Sequence, residues 1–311
     1  MRTELLTALL LLSLTAGATE STLRVYYIGN SVTDTIRYKP LADLAATRGV
    51  KIDWGRHMIP GAPLEWLYTH ENDGFREKPY GGWRVALNNF AWDAVSFQPF
   101  DRSFHGTNTA GQAIGDLDLI TELSRMAAGK NPDVRILVYA RWPRMRSGGK
   151  PFSFDKNAYD PAKPGNGYDL AKLDPWASCW EAGYDPATRK GSNEAREYFE
   201  KLHAAVVENT KFLKKPAELV RVGHAMAALD AKMKAGEVPG YTTVWQLYKD
   251  GIHLNETGSY LVGCVYFAHL LHQNPEGLTT APYGNVDAKL APLIQKQAWE
   301  TTKTTKESKL K

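Results

Sequence analysis

One serine near the start of the chain and an aspartate–histidine pair near its end could together activate a nucleophile. Ser31 lies in the stretch VYYIGNSVTD, and Asp250 and His253 are three positions apart in YKDGIHLN. In a turn, that spacing lets the carboxylate reach one imidazole nitrogen and leaves the other nitrogen free. A serine hydroxyl is a poor nucleophile until a base takes its proton, and the base needs a third group to fix its tautomer. These three residues are therefore candidates for acyl-transfer chemistry.

The sequence around Ser31 predicts that this residue follows the end of a strand. Residues 25–28 (VYYI) favour extended backbone and predict a short buried strand. Gly29 then allows the chain to turn sharply. Ligands of α/β folds bind outside the carboxyl ends of the strands, which is where Ser31 would lie. The alternative is that Ser31 only caps the next helix, as serines often do.

Short apolar runs alternate with amphipathic segments along most of the chain. Strands are predicted at residues 25–28, 50–54, 92–97, 134–140 and 219–222. Helices are predicted at residues 39–48, 62–70, 113–128, 195–206, 224–234 and 258–271. Strands that alternate with helices imply a parallel sheet covered on both faces, so we expect a three-layer α/β domain.

The combination of GNS after the first strand and DGIHLN before the last predicted helix resembles the SGNH or GDSL-type hydrolase family. The resemblance spans most of the chain, and it implies a flavodoxin-like αβα fold with a central parallel sheet. It also implies that Ser31 is the nucleophile and that Asp250 and His253 complete a triad. In that family, the backbone N–H group of a glycine after the second strand donates to the oxyanion, and Gly61, in IPGAPLEWL, matches this glycine. The resemblance therefore implies that the backbone N–H groups of Ser31 and Gly61 form part of the oxyanion hole.

One part of the family pattern is missing from this chain. The family commonly has a GxND motif after the third strand, whose Asn completes the oxyanion hole, whereas this chain has WDAVSFQPF. Gln98 also carries a side-chain amide that can donate to an oxyanion, and related SGNH-like branches have a Gln there. Gln98 is therefore the candidate third donor. The alternative is a structural role in which Gln98 bonds the neighbouring loop backbone.

Several polar and aromatic residues follow predicted strand ends and are candidates for substrate binding. They are Asn30, Asp101, Arg102, Arg141 and Trp142. Loop packing and surface ion pairing would account for the same residues, so that interpretation stays open beside the functional one.

The segment 143–192 interrupts the alternation of strands and helices. It carries six Pro and six Gly together with seven aromatic residues, a content that argues against disorder. We expect a packed, aromatic-rich insertion near the mouth of the cleft. Aromatic rings beside polar groups suit sugar rings, although rings that pack the insertion's own core would give the same composition.

The first residues predict export. Residues 5–14 form an apolar run that is too short to cross a membrane, and the small residues AGA follow it. We expect a signal peptide at 1–18, cleavage near Ala18, and a periplasmic or secreted protein without a stable membrane anchor. An uncleaved anchor or a cytosolic helix is the alternative, because Arg2 is the single early cation and Glu4 follows it.

The charge of the chain is concentrated at its C-terminal end. The formal net charge is +4, and the five Lys and two Glu of residues 294–311 contribute +3 of it. We expect a single domain at 19–293 and a polar, basic, solvated tail at 294–311. The nearly neutral remainder has no basic stripe with interleaved aromatics, so nucleic acid is not an expected partner.

The two cysteines leave their pairing open. Cys179 and Cys264 could form one disulfide in an oxidising compartment, but Cys264 lies in an apolar helix and could instead be a buried thiol. The sequence has no Cys-x-x-Cys motif and no His pair with an accompanying carboxylate at metal-ligand spacing. We expect neither a metal nor an organic cofactor.

These features together predict an exported serine esterase. Its expected substrate is a short acyl ester, above all an acetyl ester of a saccharide, and its catalytic group is Ser31 with His253 and Asp250. A lipase-like acylhydrolase, an acyltransferase that passes the acyl group to a sugar, and a catalytically silent glycan-binding protein are the alternatives.

Overall fold

The computed structural model describes residues 21–152, 159–160 and 162–307. The predicted signal peptide lies outside these residues. Within the described part of the chain, no helix combines the length and the apolarity needed to cross a bilayer.

Within these residues, six strands form the central sheet, and four short strands form two hairpins outside it. In chain order the strands are β1 (Ser21–Gly29), β2 (Val50–Met58), β3 (Phe75–Arg76), β4 (Ala94–Phe97), β5 (Arg135–Tyr139), β6 (Arg146–Ser147), β7 (Lys150–Pro151), β8 (Tyr184–Asp185), β9 (Lys190–Gly191) and β10 (Glu218–Val220). The sheet order is β10-β5-β4-β1-β2-β3, and every pairing is parallel except that of β3 with β2.

Helices cover both faces of this sheet. In the described residues they are α1 (Tyr38–Ala46), α2 (Leu64–Thr69), α3 (Trp83–Asn89), α4 (Asp116–Lys130), α5 (Trp176–Trp180), α6 (Arg196–Asn209), α7 (Val222–Lys234), α8 (Glu256–Leu271) and α9 (Ala291–Glu307). α1, α7, α8 and α9 pack on one another on one face, and α2, α3, α4 and α6 form the layer on the other. The predicted three-layer αβα architecture with a central parallel sheet is confirmed.

The centre of the sheet is β1, whose last five residues are buried. β1 lies between β2 and β4, and Ile28 is in register with His57 on one side and Phe97 on the other. The carboxyl ends of the three strands therefore meet at the same edge of the sheet. The turn after β1, the loop after β2 and Gln98 after β4 come together there.

The predicted solvated tail is wrong for most of its length. The boundary predicted at residue 293 falls inside α9, which packs against α7 and α8. Ile294 and Ala298 are fully buried, and Thr301 and Thr302 are also buried. Apolar and small residues at helical spacing provide this buried face, although Lys and Thr dominate the composition of the segment.

The insertion is packed, and four of its seven aromatic rings are buried. Tyr168, Trp176, Trp180 and Tyr184 are all buried, and the two tryptophan rings lie 5.7 Å apart. Phe154 lies outside the described residues. These rings pack mainly against the rest of the domain, since Trp176 contacts Trp245, Trp180 contacts Phe199 and Tyr184 contacts Phe104. They belong to the core of the domain rather than to a separate core of the insertion, and the composition of the insertion is weak evidence for a sugar-binding surface.

Both cysteines are free thiols. Cys179 lies in α5 and Cys264 in α8, and both are buried. Burial raises the pKa of the Cys264 thiol to about 12, so this side chain is an inert part of the core.

Candidate active site

The turn that carries Ser31 is fixed by the buried side chain of Asn30. The Asn30 Oδ1 atom accepts a hydrogen bond from the backbone N–H of Val32 at 3.0 Å, and Nδ2 donates to the carbonyl oxygen of Ala62 at 3.0 Å. These bonds tie the turn after β1 to the loop after β2. A Cβ atom at Gly29 would lie 1.9 Å from the Oγ1 atom of Thr33, so lack of space is what requires glycine here.

Ser31, His253 and Asp250 form a continuous chain of hydrogen bonds. The Oγ atom of Ser31 lies 2.8 Å from Nε2 of His253, and Nδ1 of His253 lies 2.7 Å from Oδ2 of Asp250. The side chains of His253 and Asp250 are 31% and 26% exposed, so solvent and small molecules can reach the imidazole. This is the geometry in which a carboxylate holds one tautomer of a base whose other nitrogen faces a hydroxyl.

The second oxygen of Asp250 is also bound. Its Oδ1 atom accepts hydrogen bonds from the backbone N–H groups of Ile252 at 2.9 Å and His253 at 2.7 Å. Burial alone would raise the pKa of Asp250, but the bonds from the His253 ring and from both backbone groups lower it below its ordinary value. Asp250 is therefore ionised in the pH range in which a histidine base works.

The loop of Asp250 and His253 is held from outside by the residues that follow β5 and by the insertion. Its backbone carbonyl groups accept four hydrogen bonds, which we name the loop clamp. The bonds run from Trp142 Nε1 to Ile252 O at 2.6 Å, from Met145 N to Gly251 O at 2.8 Å, from Tyr168 OH to Lys249 O at 2.6 Å and from Asn166 Nδ2 to Tyr248 O at 3.0 Å. The loop clamp fixes where the imidazole stands relative to β1.

Two backbone donors near Ser31 are available for a ligand. Gly61 is exposed and has a φ of +70°, a left-handed conformation that favours glycine. Within the described residues, the backbone N–H groups of Ser31 and Gly61 have no hydrogen-bond acceptor. An oxyanion hole needs such unpaired donors.

Gln98 is buried and spans the turn after β1. Its Oε1 atom accepts from the backbone N–H of Asn30 at 3.0 Å and from the Thr33 hydroxyl at 2.9 Å. Its Nε2 atom donates to the carbonyl oxygen of Pro99 at 3.1 Å. The amide therefore has the loop-bonding role that the sequence left as an alternative, and donation to an oxyanion by its second N–H stays a prediction.

Asp101 and Arg141 belong to a partly buried ionic network that the sequence did not reveal. Arg141 Nη2 lies 3.2 Å from Asp101 Oδ1 and 3.1 Å from Glu194 Oε1, and Arg144 bonds both carboxylates. Burial alone would raise the pKa of Glu194, but the Arg141 and Arg144 charges lower it below its ordinary value. Glu194 lies far from the other partners in the sequence, and no motif marks it.

The remaining candidates for substrate binding contact other parts of the protein. Asn30 and Trp142 are fully buried, as is Arg141. Arg102 is exposed, and its Nε atom lies 2.6 Å from Oε2 of Glu65 in α2. Burial gives Asn30, Arg141 and Trp142 positions from which they support the site, and substrate contact by any of the five stays a prediction.

An open cleft of about 1350 Å³ lies beside the triad. Ser31, Asp250 and His253 line it, whereas the described residues of its lining do not include Gly61 or Gln98. Most of the residues that line it have polar side chains. Four cations that the sequence did not single out also line the cleft, namely Arg37, Lys163, Lys249 and Lys289. Lys163 is paired with Asp160 at 3.3 Å. Lys249 directly precedes Asp250 and could have been noticed, but Arg37 and Lys289 come from separate loops.

The described residues contain no group of three His, Cys, Asp or Glu side chains placed to hold a metal ion.

Comparison with known proteins gives a fold and no more. No family model matches the sequence, and no curated protein matches it. A DUF4886 family protein from Bacteroides uniformis ATCC 8492 has a similar structure, with 17% sequence identity, a TM-score of 0.51, and coverage of 90% of this chain and 95% of that chain. The periplasmic domain of a lipopolysaccharide acetyltransferase from Salmonella ser. Paratyphi A matches with 12% identity, a TM-score of 0.40, and coverage of 81% and 83%. At these identities the first likeness shows a shared fold alone, and the second is too weak to carry an argument.

Proposed function

We propose that this protein is a serine ester hydrolase of the SGNH type. The observation that carries the proposal is the chain of hydrogen bonds from the Ser31 hydroxyl through His253 to Asp250, with distances of 2.8 and 2.7 Å. A glycan-binding protein without catalytic activity would not need a histidine hydrogen-bonded to a serine hydroxyl, nor a carboxylate that orients that histidine. The GNS and DGIHLN segments that resemble the family are the segments that supply these residues.

In the proposed mechanism, Ser31 attacks the ester carbonyl carbon while Nε2 of His253 takes the hydroxyl proton. Asp250 stabilises the imidazolium that forms. The tetrahedral intermediate then collapses, and His253 gives the proton to the leaving alcohol. Water, deprotonated by the same imidazole, attacks the acyl-enzyme, and the second collapse releases the acid and restores Ser31.

The negative charge that develops on the carbonyl oxygen needs preorganised donors. The unpaired backbone N–H groups of Ser31 and Gly61 support such a role, and the amide of Gln98 is the third candidate. Donors that need no reorganisation during the reaction are commonly the largest single contribution to acyl-transfer catalysis.

The position of the cleft supports a polar alcohol and a short acyl group. The leaving alcohol must lie within reach of His253, which lines the cleft, whereas the carbonyl oxygen points towards Gly61 and Gln98, which do not. Most of the lining residues have polar side chains, which suits a hydroxylated alcohol. We therefore propose an acetyl-type ester of a carbohydrate as the substrate, and an exported protein that meets such esters outside the cell.

Hydrolysis of p-nitrophenyl acetate tests the proposed activity. We expect turnover by the native protein and a fall in kcat of about 10³- to 10⁶-fold in Ser31→Ala and in His253→Ala, with little further loss in the double variant. Ser178→Ala, a change at an exposed serine in α5, is the matched control. Near-normal turnover by Ser31→Ala would exclude this mechanism.

The substrate class needs a separate test. We expect acetate release from an acetylated polysaccharide and faster turnover of p-nitrophenyl acetate than of p-nitrophenyl octanoate. A preference for the octanoate, with no acetate released from any acetylated glycan, would favour the lipase-like alternative.

The size of the cleft also favours a second candidate, acyl transfer. About 1350 Å³ beside His253 could hold an acceptor alcohol in place of the attacking water. Both reactions share the acyl-enzyme, so the products distinguish them. An acetylated sugar formed from p-nitrophenyl acetate and free sugar, at the expense of acetate, would identify a transferase.

A further inference from the structure

Three cations of the cleft have no carboxylate partner. Within the described residues, no Asp or Glu oxygen lies within 4.0 Å of a charged nitrogen of Arg37, Lys249 or Lys289, although other cations at the surface are paired in this way. Lys249 and Lys289 are exposed. Arg37 donates to the carbonyl oxygen of Tyr283 at 2.7 Å and lies over that ring, which anchors the guanidinium without neutralising it.

The carboxylates of the same cleft already have donors from the protein. Asp34 accepts hydrogen bonds from Arg56 at 2.7 Å and from the Tyr38 hydroxyl at 2.9 Å. Asp287 accepts from the Tyr241 hydroxyl at 3.0 Å and from the Lys289 backbone N–H at 2.8 Å. Glu256 accepts from the Asn285 backbone N–H at 2.9 Å. The cleft therefore offers a ligand free positive donors, while much of its capacity to accept hydrogen bonds is used.

The backbone at two of these cations is rigidly held. Lys249 donates its backbone N–H to the carbonyl oxygen of His253 at 2.9 Å and accepts a bond from the Tyr168 hydroxyl at 2.6 Å. Arg37 has a φ of 55°, a left-handed conformation that costs free energy in a residue with a side chain, and its backbone N–H donates to Asp34 O. Both positions are fixed close in sequence to the catalytic residues.

We propose that the alcohol part of the substrate carries an anionic group, a carboxylate or a phosphate on a saccharide, which Lys249 and Lys289 bind with Arg37. This inference rests on the proposed ester hydrolysis, and it concerns the leaving alcohol because the cleft lies on the side of His253. An anion there could pair with three cations that have no carboxylate oxygen within 4.0 Å, and charge-assisted hydrogen bonds are the stronger kind.

Matched esters test the proposal. The probes are methyl O-acetyl-glucopyranoside and methyl O-acetyl-glucopyranosiduronate, acetylated at the same oxygen, and a third arm replaces the carboxylate by a 6-phosphate. At low ionic strength we expect kcat/KM for the uronate to exceed that for the glucoside about tenfold, mainly through KM, as several partly exposed ion pairs of up to about 1 kcal/mol would give. The preference should shrink as salt is added. A larger preference for the phosphate would identify a phosphorylated saccharide as the source of the anion.

Variants assign the preference to the named residues. In the Lys249→Gln, Lys289→Gln double variant we expect the ratio of the two kcat/KM values to fall towards one. Lys172→Gln is the matched control, because Lys172 pairs with Asp169 at 3.2 Å and does not line the cleft, so the native ratio should persist.

The outcomes separate this inference from the proposed function. If p-nitrophenyl acetate is hydrolysed through Ser31 but the charged sugars are not preferred, or if the double variant keeps the native ratio, the anionic substrate is wrong and the esterase stands. If none of the esters is hydrolysed, the proposed function itself fails.

Discussion

Two side-chain amides, rather than regular secondary structure, hold the turn that carries Ser31. Asn30 bonds Val32 and Ala62, and Gln98 accepts bonds from the Asn30 backbone and from Thr33. All four bonds are buried, where an amide without a partner costs about 1–3 kcal/mol. These buried polar atoms therefore fix the position of Ser31, and a substitution that removes one of them should lower the free energy of unfolding.

Gln98→Ala should affect both stability and catalysis. The Asn30 N–H and the Thr33 hydroxyl would lose their acceptor, so we expect the free energy of unfolding in urea to fall by about 1–3 kcal/mol. If the second N–H of Gln98 donates to the oxyanion, kcat should also fall about 10²- to 10³-fold with a modest change in KM.

Thr33→Val is the companion variant for Gln98. It removes one hydroxyl bond to Gln98 and leaves the amide in place, so we expect some loss of stability with most of kcat retained. A Gln98→Ala enzyme that is less stable but has an unchanged kcat would restrict Gln98 to supporting the turn.

At the scale of elements, the segment after β5 and the insertion that follows it matter most for the site because they supply the loop clamp. Trp142 donates to the carbonyl oxygen of Ile252 at 2.6 Å, while the indole N–H of the equally buried Trp180 has no partner in the described residues. The chain thus contains two similar tryptophans, of which one contacts the catalytic loop through a hydrogen bond.

Trp142→Phe and Trp180→Phe should therefore separate positioning from packing. Both changes leave a space in the core and should lower the melting temperature. Only Trp142→Phe releases the loop, and we expect its kcat for p-nitrophenyl acetate to fall about ten- to hundredfold, because small misplacements of a catalytic group are that costly. Equal kcat values in the two variants would show that the bond to Ile252 does not position His253.

A buried carboxyl group joins two helices of one layer. Asp116 is the first residue of α4, and it accepts a hydrogen bond from the Tyr198 hydroxyl of α6. Its second oxygen has no hydrogen-bond partner within the described residues. Burial raises the pKa of Asp116 to about 7, even though the bond from Tyr198 lowers it.

The sign of the resulting pH dependence follows from proton binding. Between about pH 4 and about pH 7, folded Asp116 keeps a proton that the unfolded chain has released, so this group's contribution to the free energy of unfolding falls as the pH rises. Asp116→Asn resembles the protonated form and should become more stable relative to the native protein from pH 5 to pH 7, with no further gain above. Urea unfolding of both proteins at several pH values measures this difference, and a constant difference would contradict it.

At the scale of the whole molecule, α9 packs against α7 and α8 in one helical layer. Ile294 is fully buried in α9, and Ile294→Ala should lower the free energy of unfolding by about 2–4 kcal/mol because it leaves a cavity. Lys296→Ala, at an exposed position two residues along the helix, should change it by less than about 0.5 kcal/mol. If the two variants unfold at the same urea concentration, α9 does not stabilise the domain.

The sequence predicted the alternation of strands and helices because period and apolar content are local properties. Ser31, Asp250 and His253 were found for the same reason: each lies in a short segment with its own pattern. α9 was missed because its buried face is made of a few small and apolar residues among many Lys and Thr. The aromatic content of the insertion did not show whether its rings bind a ligand or pack a core, since composition does not distinguish a buried ring from a ring at the surface.

The residues that support the site could not be predicted from the sequence, for a different reason. Glu194 pairs with Arg141 across 53 positions, and Trp142 bonds Ile252 across 110. Such partners meet only when the complete fold is in place, and neither partner sits in a distinctive local pattern.

Ser31 and His253 stand 222 positions apart along the chain. A ribosome that has released the first 247 residues has delivered the nucleophile and all the strands of the central sheet, but neither the base nor α8. Each newly made copy of the proposed hydrolase therefore cannot hydrolyse an ester until residue 253 has been released. A truncated copy carries a serine that no imidazole can activate.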